Sequence, residues 1–117
     1  MKLREGMQEL GMDVDVTLNR FMNNENMYRK FLKKTEDDPT YEELKDAVER
    51  MDYDIIERSA HTLKGVAGNM GFDQLMNYCA ALVSDVREKR FDDIGADFDL
   101  VQKEHTKVVE VIRKIED

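Results

Sequence analysis

The chain has 117 residues, a single-domain length that can bury one hydrophobic core. Its formal net charge is −8 with no lysine- or arginine-rich block, so nucleic acids and anionic membrane surfaces are unfavourable partners. A single cysteine excludes an internal disulfide. Nothing in the sequence resembles a signal peptide, and no apolar run approaches the roughly 18–20 residues that span a bilayer. We therefore expect a cytoplasmic protein without membrane insertion.

An all-α fold is predicted, because one proline, six glycines and 38% charged residues suit helices joined by short turns. We set residues 1–12 apart as a leader segment and assign residues 13–117 to one helical bundle domain. In chain order, helices are predicted over residues 13–22, from Asn24, from Thr40 to about Met51, from Ile55 to Met70, from Asp73, and from about Asp93.

Capping-box spacing marks the starts of two of these helices. Thr40 with Glu43, and Asp54 with Glu57, are each three residues apart, as in a capping box. Gly71 suits a left-handed cap at the end of the helix that reaches Met70.

The last predicted helix carries the seam of a helix bundle, with residues at alternating spacings of four and three: Ile94, Phe98, Val101, His105, Val108, Ile112 and Ile115. The longest helices come late and follow one another closely, which predicts an antiparallel four-helix bundle with one or two short additional N-terminal helices. His105 is therefore expected to be a packing residue, and Cys79, on a core stripe, to be inert.

The helix over residues 55–70 has two clearly different faces. At about 100° per residue, its core face spans a sector about 80° wide and comprises Ile56, Ala60, Leu63, Ala67 and Met70. His61 lies roughly 135° from the centre of that sector and is predicted to face solvent, with Lys64, Gly65 and Gly68 on the same side. Each glycine inside a helix lowers stability by about 0.5–1 kcal/mol relative to alanine. We expect that this loss is offset by function, because the two glycines leave a bare patch of surface that another molecule can approach.

Residues 61–71, HTLKGVAGNMG, resemble the signature of histidine-containing phosphotransfer (HPt) domains, which has a histidine, a lysine three residues on, a glycine four on, and small residues before a further glycine. The stretch GMDVDVTLNRFMNNENMYRKFL resembles the N-terminal helices of bacterial members, and the resemblance covers roughly residues 11–90. One departure is Val83, which stands where many members have a glutamine or glutamate near the histidine.

The resemblance implies bacterial phosphorelay signalling, in which His61 accepts a phosphoryl group from a receiver-domain aspartate and passes it to another, with Lys64 as the cation beside that group. The partner-binding candidates are Gly65, Gly68, Glu57 and Thr62. The implied partners are response-regulator receiver domains and a sensor histidine kinase. The carrier itself would be a monomer with no metal, cofactor or ATP site, and Mg²⁺ is expected on the receiver.

Imidazole suits this chemistry because it titrates near pH 6.5 and offers a nucleophilic nitrogen without a separate base. An alternative is a non-catalytic adaptor bundle that binds a receiver-like partner through the Gly65 and Gly68 face. A metal site is disfavoured, because Glu57 and His61 are an outward-facing i, i+4 pair and the chain has only two histidines. Glu57 could orient the imidazole, but a solvated position at the helix start is the simpler interpretation.

Overall fold

The computed structural model describes residues 1–116, which contain seven α-helices, one 3-10 turn and no strand. The helices are α1 (Leu3–Glu9), α2 (Val14–Asn19), α3 (Glu25–Glu36), α4 (Thr40–Arg50), α5 (Tyr53–Met70), α6 (Asp73–Arg87) and α7 (Ile94–Lys114), with the 3-10 turn at Phe91–Asp93. The predicted all-α fold class is confirmed.

Helices α4 to α7 form the bundle. Their connections are two, two and six residues long, so each helix runs antiparallel to the one before it. α4 packs on α5, α5 on α6, α6 on α7, and α7 back on α4, so that α5 and α7 lie on a diagonal. The short N-terminal helices are α1 and α2, and α3 is a third helix ahead of the bundle that contacts both α5 and α7.

The segment expected as a leader, residues 1–12, contains α1 and packs against the end of α7. Leu3 and Met7 are each only 1% exposed. A Cβ on Gly6 would lie 2.8 Å from Cδ1 of Ile115, so α1 approaches the C-terminal end of α7 closely. The expected division at residue 12 therefore does not appear as a break in the packing.

Both capping-box predictions are wrong in detail. The Thr40 side chain caps nothing, and its backbone N–H instead donates to Oδ1 of Asp38 at 2.8 Å. Asp52, rather than Asp54, caps α5 by accepting a hydrogen bond from the backbone N–H of Ile55 at 3.3 Å. The reason is that an N-cap residue needs a non-helical backbone, which Asp52 has and Asp54, already inside α5, does not.

The end of α5 and its core face are as predicted. Gly71 closes the helix in the left-handed region with φ +85°, and α2 comes close at this point, because a Cβ on Gly71 would lie 2.6 Å from Oγ1 of Thr17. The residues of the predicted core face are at most 3% exposed: Ile56, Ala60, Leu63, Ala67 and Met70. Their burial fixes the rotation of α5 and therefore which side chains face outward.

Candidate functional site

His61 occupies the ninth position of the 18-residue helix α5 and is exposed, as predicted. Its sequence neighbour Ala60 is fully buried, and Leu63 two residues later is 3% exposed, so the helix turns the imidazole away from the core. Within residues 1–116 no side-chain hydrogen bond or ion pair engages the ring. Neither ring nitrogen is therefore engaged by another group of the described chain.

Two cationic side chains lie one helical turn to either side of His61. Lys64, at i+3, is partly buried, and Arg58, at i−3, is exposed. Neither makes a hydrogen bond or ion pair with another part of the chain that the structure describes. Sequence reasoning missed Arg58, although its spacing from the histidine mirrors that of Lys64. The structure thus supplies two cations, in a chain of net charge −8, within reach of a group on His61.

Glu57 is engaged with α6 and not with His61. Its Oε1 accepts a hydrogen bond from Nε of Arg87 at 3.1 Å, and both side chains are about half exposed. An exposed ion pair of this kind contributes at most about 1 kcal/mol to stability, so it mainly defines the local surface. No contact supports the role considered for Glu57 in orienting the imidazole. Nothing in the sequence pattern identified Arg87 as the partner of Glu57.

The two glycines beside His61 have different surroundings. A Cβ on Gly65 would meet nothing within 4 Å, so this position is open surface. Gly68 is partly buried, because a Cβ there would lie 2.9 Å from Sδ of Met76 and its carbonyl oxygen accepts a hydrogen bond from Nη1 of Arg20 at 2.8 Å. The expected bare patch is therefore at Gly65, whereas Gly68 makes room for Met76 of α6 and is bonded through its carbonyl oxygen to Arg20, which follows α2.

The structure has no glutamine or glutamate at position 83, the place near the histidine where the resemblance to HPt domains leads us to expect one. The contacts of α6 with Glu57 and Gly68 fix an antiparallel register in which Val83 lies across from His61, and Val83 is 3% exposed. The next residue, Ser84, is exposed, but its hydroxyl accepts a hydrogen bond from Nη2 of Arg90 at 3.3 Å. Val83 thus belongs to the core and offers the imidazole no hydrogen bond.

The other candidate residues take the places that their patterns indicated. Thr62 is exposed beside His61. His105 is partly buried with its ring stacked on Tyr41 at 3.7 Å and 3°, and burial lowers its pKa, which keeps the ring neutral at pH 7. Cys79 is fully buried, and burial raises the pKa of its thiol to about 12, so it is a poor nucleophile.

The described residues contain neither a metal-binding cluster nor a membrane-spanning helix. Within residues 1–116, no group of three or more histidine, cysteine, aspartate or glutamate side chains is arranged to hold a metal ion. Over the same range no helix has the length and apolar character needed to cross a membrane.

Comparison with known proteins agrees with the geometry. The family model of the Hpt domain matches residues 26–111, about three quarters of the chain, and this stretch includes His61 and both cations beside it. No curated protein and no solved structure shows significant similarity to the chain. Hpt domains are phosphotransfer carrier modules of phosphorelays that interact with receiver domains and kinases. From the match over most of its length, we conclude that this chain belongs to the Hpt domain family.

Proposed function

We propose that this protein is a phosphoryl carrier in which His61 receives a phosphoryl group from the aspartyl phosphate of one receiver domain and transfers it to the aspartate of another. The observation that carries the proposal is the exposed imidazole of His61 with no partner in the described chain, held between Arg58 and Lys64 on the outward face of α5. Membership of the Hpt domain family supports the same reading.

The transfer step balances with the groups that are present. One unprotonated ring nitrogen of His61 attacks the phosphorus, the N–P bond forms, and the P–O bond to the aspartyl carboxyl breaks, so the carboxylate leaves with the electron pair. The other ring nitrogen keeps its proton. The phosphoramidate formed is itself reactive, and attack by a second receiver's carboxylate reverses the step. The protein needs only to present the ring and to stabilise charge.

Lys64 and Arg58 supply that charge stabilisation in our proposal. Charge in a phosphoryl transition state spreads over three equatorial oxygens, which charge-assisted hydrogen bonds from ammonium and guanidinium groups stabilise. Both side chains are long, begin one turn from His61, and have no competing partner among residues 1–116. Gly65 leaves open space beside the ring, so that the receiver's backbone can approach.

The carrier is proposed to work without a cofactor or ATP of its own, and Mg²⁺ is expected on the receiver. The face around His61 fits this division, because it offers unpaired cations, and the nearest carboxylate on its own helix face, Glu57, is paired with Arg87. The proposed partners are response-regulator receiver domains, with a sensor histidine kinase as a further donor, in a cytoplasmic bacterial phosphorelay. We propose a monomer, since transfer requires the His61 face to be free.

The experiment follows a labelled phosphoryl group. Receiver domains phosphorylated by a small-molecule donor are mixed with the wild-type protein, with His61→Gln and with His105→Gln. The proposal expects label on the wild type and on His105→Gln, stable to base and labile to acid, and no label on His61→Gln. If no receiver in a broad panel labels the wild type, although a small phosphorylating reagent does modify His61, the adaptor alternative replaces the carrier.

A further inference from the structure

Two carboxyl groups meet where α6 joins α7. Asp85 lies in the last turn of α6 and Asp97 in the first turn of α7, and their side chains are in hydrogen-bonding contact beside residues 88–93, here called the α6–α7 joint. The Asp85 side chain is only 16% exposed. Oδ2 of Asp97 is buried, and no N–H or O–H group among residues 1–116 donates a hydrogen bond to it. Across the joint, the Asp97 carboxyl group thus meets a second acceptor and none of the described donors.

This contact requires a proton. Two ionised carboxylates are acceptors only, so neither can donate a hydrogen bond to the other, and their charges repel. A carboxyl and a carboxylate that share one proton instead form a short, charge-assisted hydrogen bond. That hydrogen bond also gives the buried Asp97 carboxyl the partner that the rest of the described chain does not provide. The closed α6–α7 joint therefore corresponds to the singly protonated pair.

The surrounding charges place the proton on Asp97. Contact with Asp97 and a hydrogen bond from Nε of Arg90 to Oδ1 at 2.6 Å lower the pKa of Asp85, so Asp85 is the ionised member. Burial first, and then the contact with Asp85, raise the pKa of Asp97 to about 7. The charged groups that face Asp97 are Asp85 from α6, Arg90 from the joint and Asp93 at the start of α7, and only Arg90 favours its ionised form.

We propose that the proton shared by Asp85 and Asp97 is a latch, which keeps the α6–α7 joint closed while it is bound and lets the joint open when it is released to water. After release, two carboxylates stand side by side, and the single guanidinium of Arg90 is already bonded to one of them. Separation of the two helix ends lets water solvate both carboxylates and removes their repulsion. The inference concerns the fold and does not depend on phosphoryl transfer by His61.

The α6–α7 joint is poised to open locally. Lys89 has a left-handed backbone with φ +59°, which a residue with a Cβ adopts only at a conformational cost. The side chain of Arg90 ties the joint back to α6, with Nη2 donating to Oγ of Ser84 at 3.3 Å. In the middle of the joint, the ring of Phe91 stacks on Tyr53 of α5 at 3.9 Å and 4°. This stack involves no charge, so it holds at any pH and confines the opening to the helix ends.

Opening of the joint reaches the surface beside His61. Arg87 stands two residues after Asp85 in the last turn of α6, and its Nε donates to Oε1 of Glu57 on α5 at 3.1 Å. The latch therefore controls how firmly this turn is held against the helix that carries His61. Since Asp97 titrates near pH 7, the latch responds to changes of pH around neutrality.

The joint between α4 and α5 is a control within the same molecule. Met51 has φ +53°, close to the value of Lys89. In both joints two successive N–H groups donate to carbonyl oxygens three and five residues earlier, from Met51 and Asp52 in one and from Lys89 and Arg90 in the other. The α4–α5 joint is flanked by ion pairs of Arg50 with acidic residues and has no pair of carboxyl groups in contact among the described residues. The two joints thus share their backbone and differ in the latch.

The test measures amide hydrogen exchange by NMR at about pH 5 and about pH 8, expressed as protection relative to an unstructured peptide at the same pH. The protection of the Arg90 amide should fall about tenfold or more between these pH values, because the open joint releases a proton that the closed joint holds. The protection of the Asp52 amide should stay constant. In Asp97→Asn the side-chain amide donates to Asp85 at every pH, so Arg90 should be protected equally at both.

Three results would overturn the inference. The first is an Arg90 amide whose protection changes with pH no more than that of Asp52, a comparison that needs only the wild type. The second is the same pH dependence of Arg90 in Asp97→Asn, since the proton would then belong to another group. The third is a titration of the Asp97 carboxyl carbon near pH 7 with no change at Arg90, because the proton would then be present without acting as a latch.

Discussion

Replacing Gly65 by alanine should stabilise the fold and at the same time slow phosphoryl transfer from a receiver. Gly65 lies inside the 18-residue helix α5, where alanine is favoured over glycine by about 0.5–1 kcal/mol. The new Cβ would meet nothing within 4 Å, so no steric cost offsets this gain. The free energy of unfolding should rise by about 0.5–1 kcal/mol, which for a domain of this size raises Tm by about 2–4 °C.

The effect on transfer comes from the complex. The added methyl group stands one turn from His61 on the surface that the receiver must approach, and one extra carbon in a close-packed contact costs about 1–3 kcal/mol. Transfer from phosphorylated receiver should therefore slow by roughly fivefold or more. Unfolding in guanidinium chloride and single-turnover transfer measure the two effects separately.

Gly95→Ala is the matched control. Gly95 lies in α7, and a Cβ there would also meet nothing within 4 Å, so the fold should not be destabilised and transfer should stay unchanged. If Gly65→Ala transfers phosphate as fast as Gly95→Ala does, the receiver does not need the open surface at Gly65, and the account of that glycine is wrong. A loss of stability in Gly65→Ala would refute the assignment of open space.

Three further changes have defined outcomes. Gly71→Ala should lower the free energy of unfolding by about 2 kcal/mol or more, measured by denaturation, because φ is +85° and a Cβ would lie 2.6 Å from Oγ1 of Thr17. Burial first, and then a hydrogen bond with Asp85, raise the pKa of Asp97 from 3.8 to about 7, so the folded state keeps a proton that the unfolded chain releases. Stability should fall as the pH rises from about 4 to 7, by about 1–2 kcal/mol after solvent screening, and Asp97→Asn should lack this part of the pH dependence in denaturation curves. Lys64→Met should slow transfer from the receiver by about tenfold in a single-turnover assay, because one charge-assisted contact to the phosphoryl oxygens is lost, and an unchanged rate would remove the role proposed for Lys64.

The orientation of α5 could be predicted from the sequence because the apolar residues of its core face recur at helical spacing. Once residues such as Ala60 and Leu63 are assigned to the core, the helical geometry leaves His61 no direction except outward. The left-handed cap at Gly71 was equally predictable, since glycine is the residue that adopts this backbone without strain. Arg58 could also have been found, because i−3 and i+3 neighbours of a helical residue are equivalent by geometry.

Features that depend on contacts between distant segments could not be predicted. Gly68 has the same spacing pattern as an open surface glycine, but Met76 of α6 and Arg20 near the end of α2 cover it. The pairing of Glu57 with Arg87 likewise depends on the register between α5 and α6. The spacing of residues within α5 alone carries no information about the cover over Gly68 or about the partner of Glu57.

The most direct test of the central claim is to locate the phosphoryl group by mass spectrometry of peptides, prepared without acid, after the protein has been mixed with a phosphorylated receiver. The account predicts one phosphoryl group on the peptide that contains His61, appearing as the receiver loses its own, and none on the peptide that contains His105. A phosphoryl group on any other residue, or none on the protein although the receiver has bound, would contradict the assignment of His61 as the carrier.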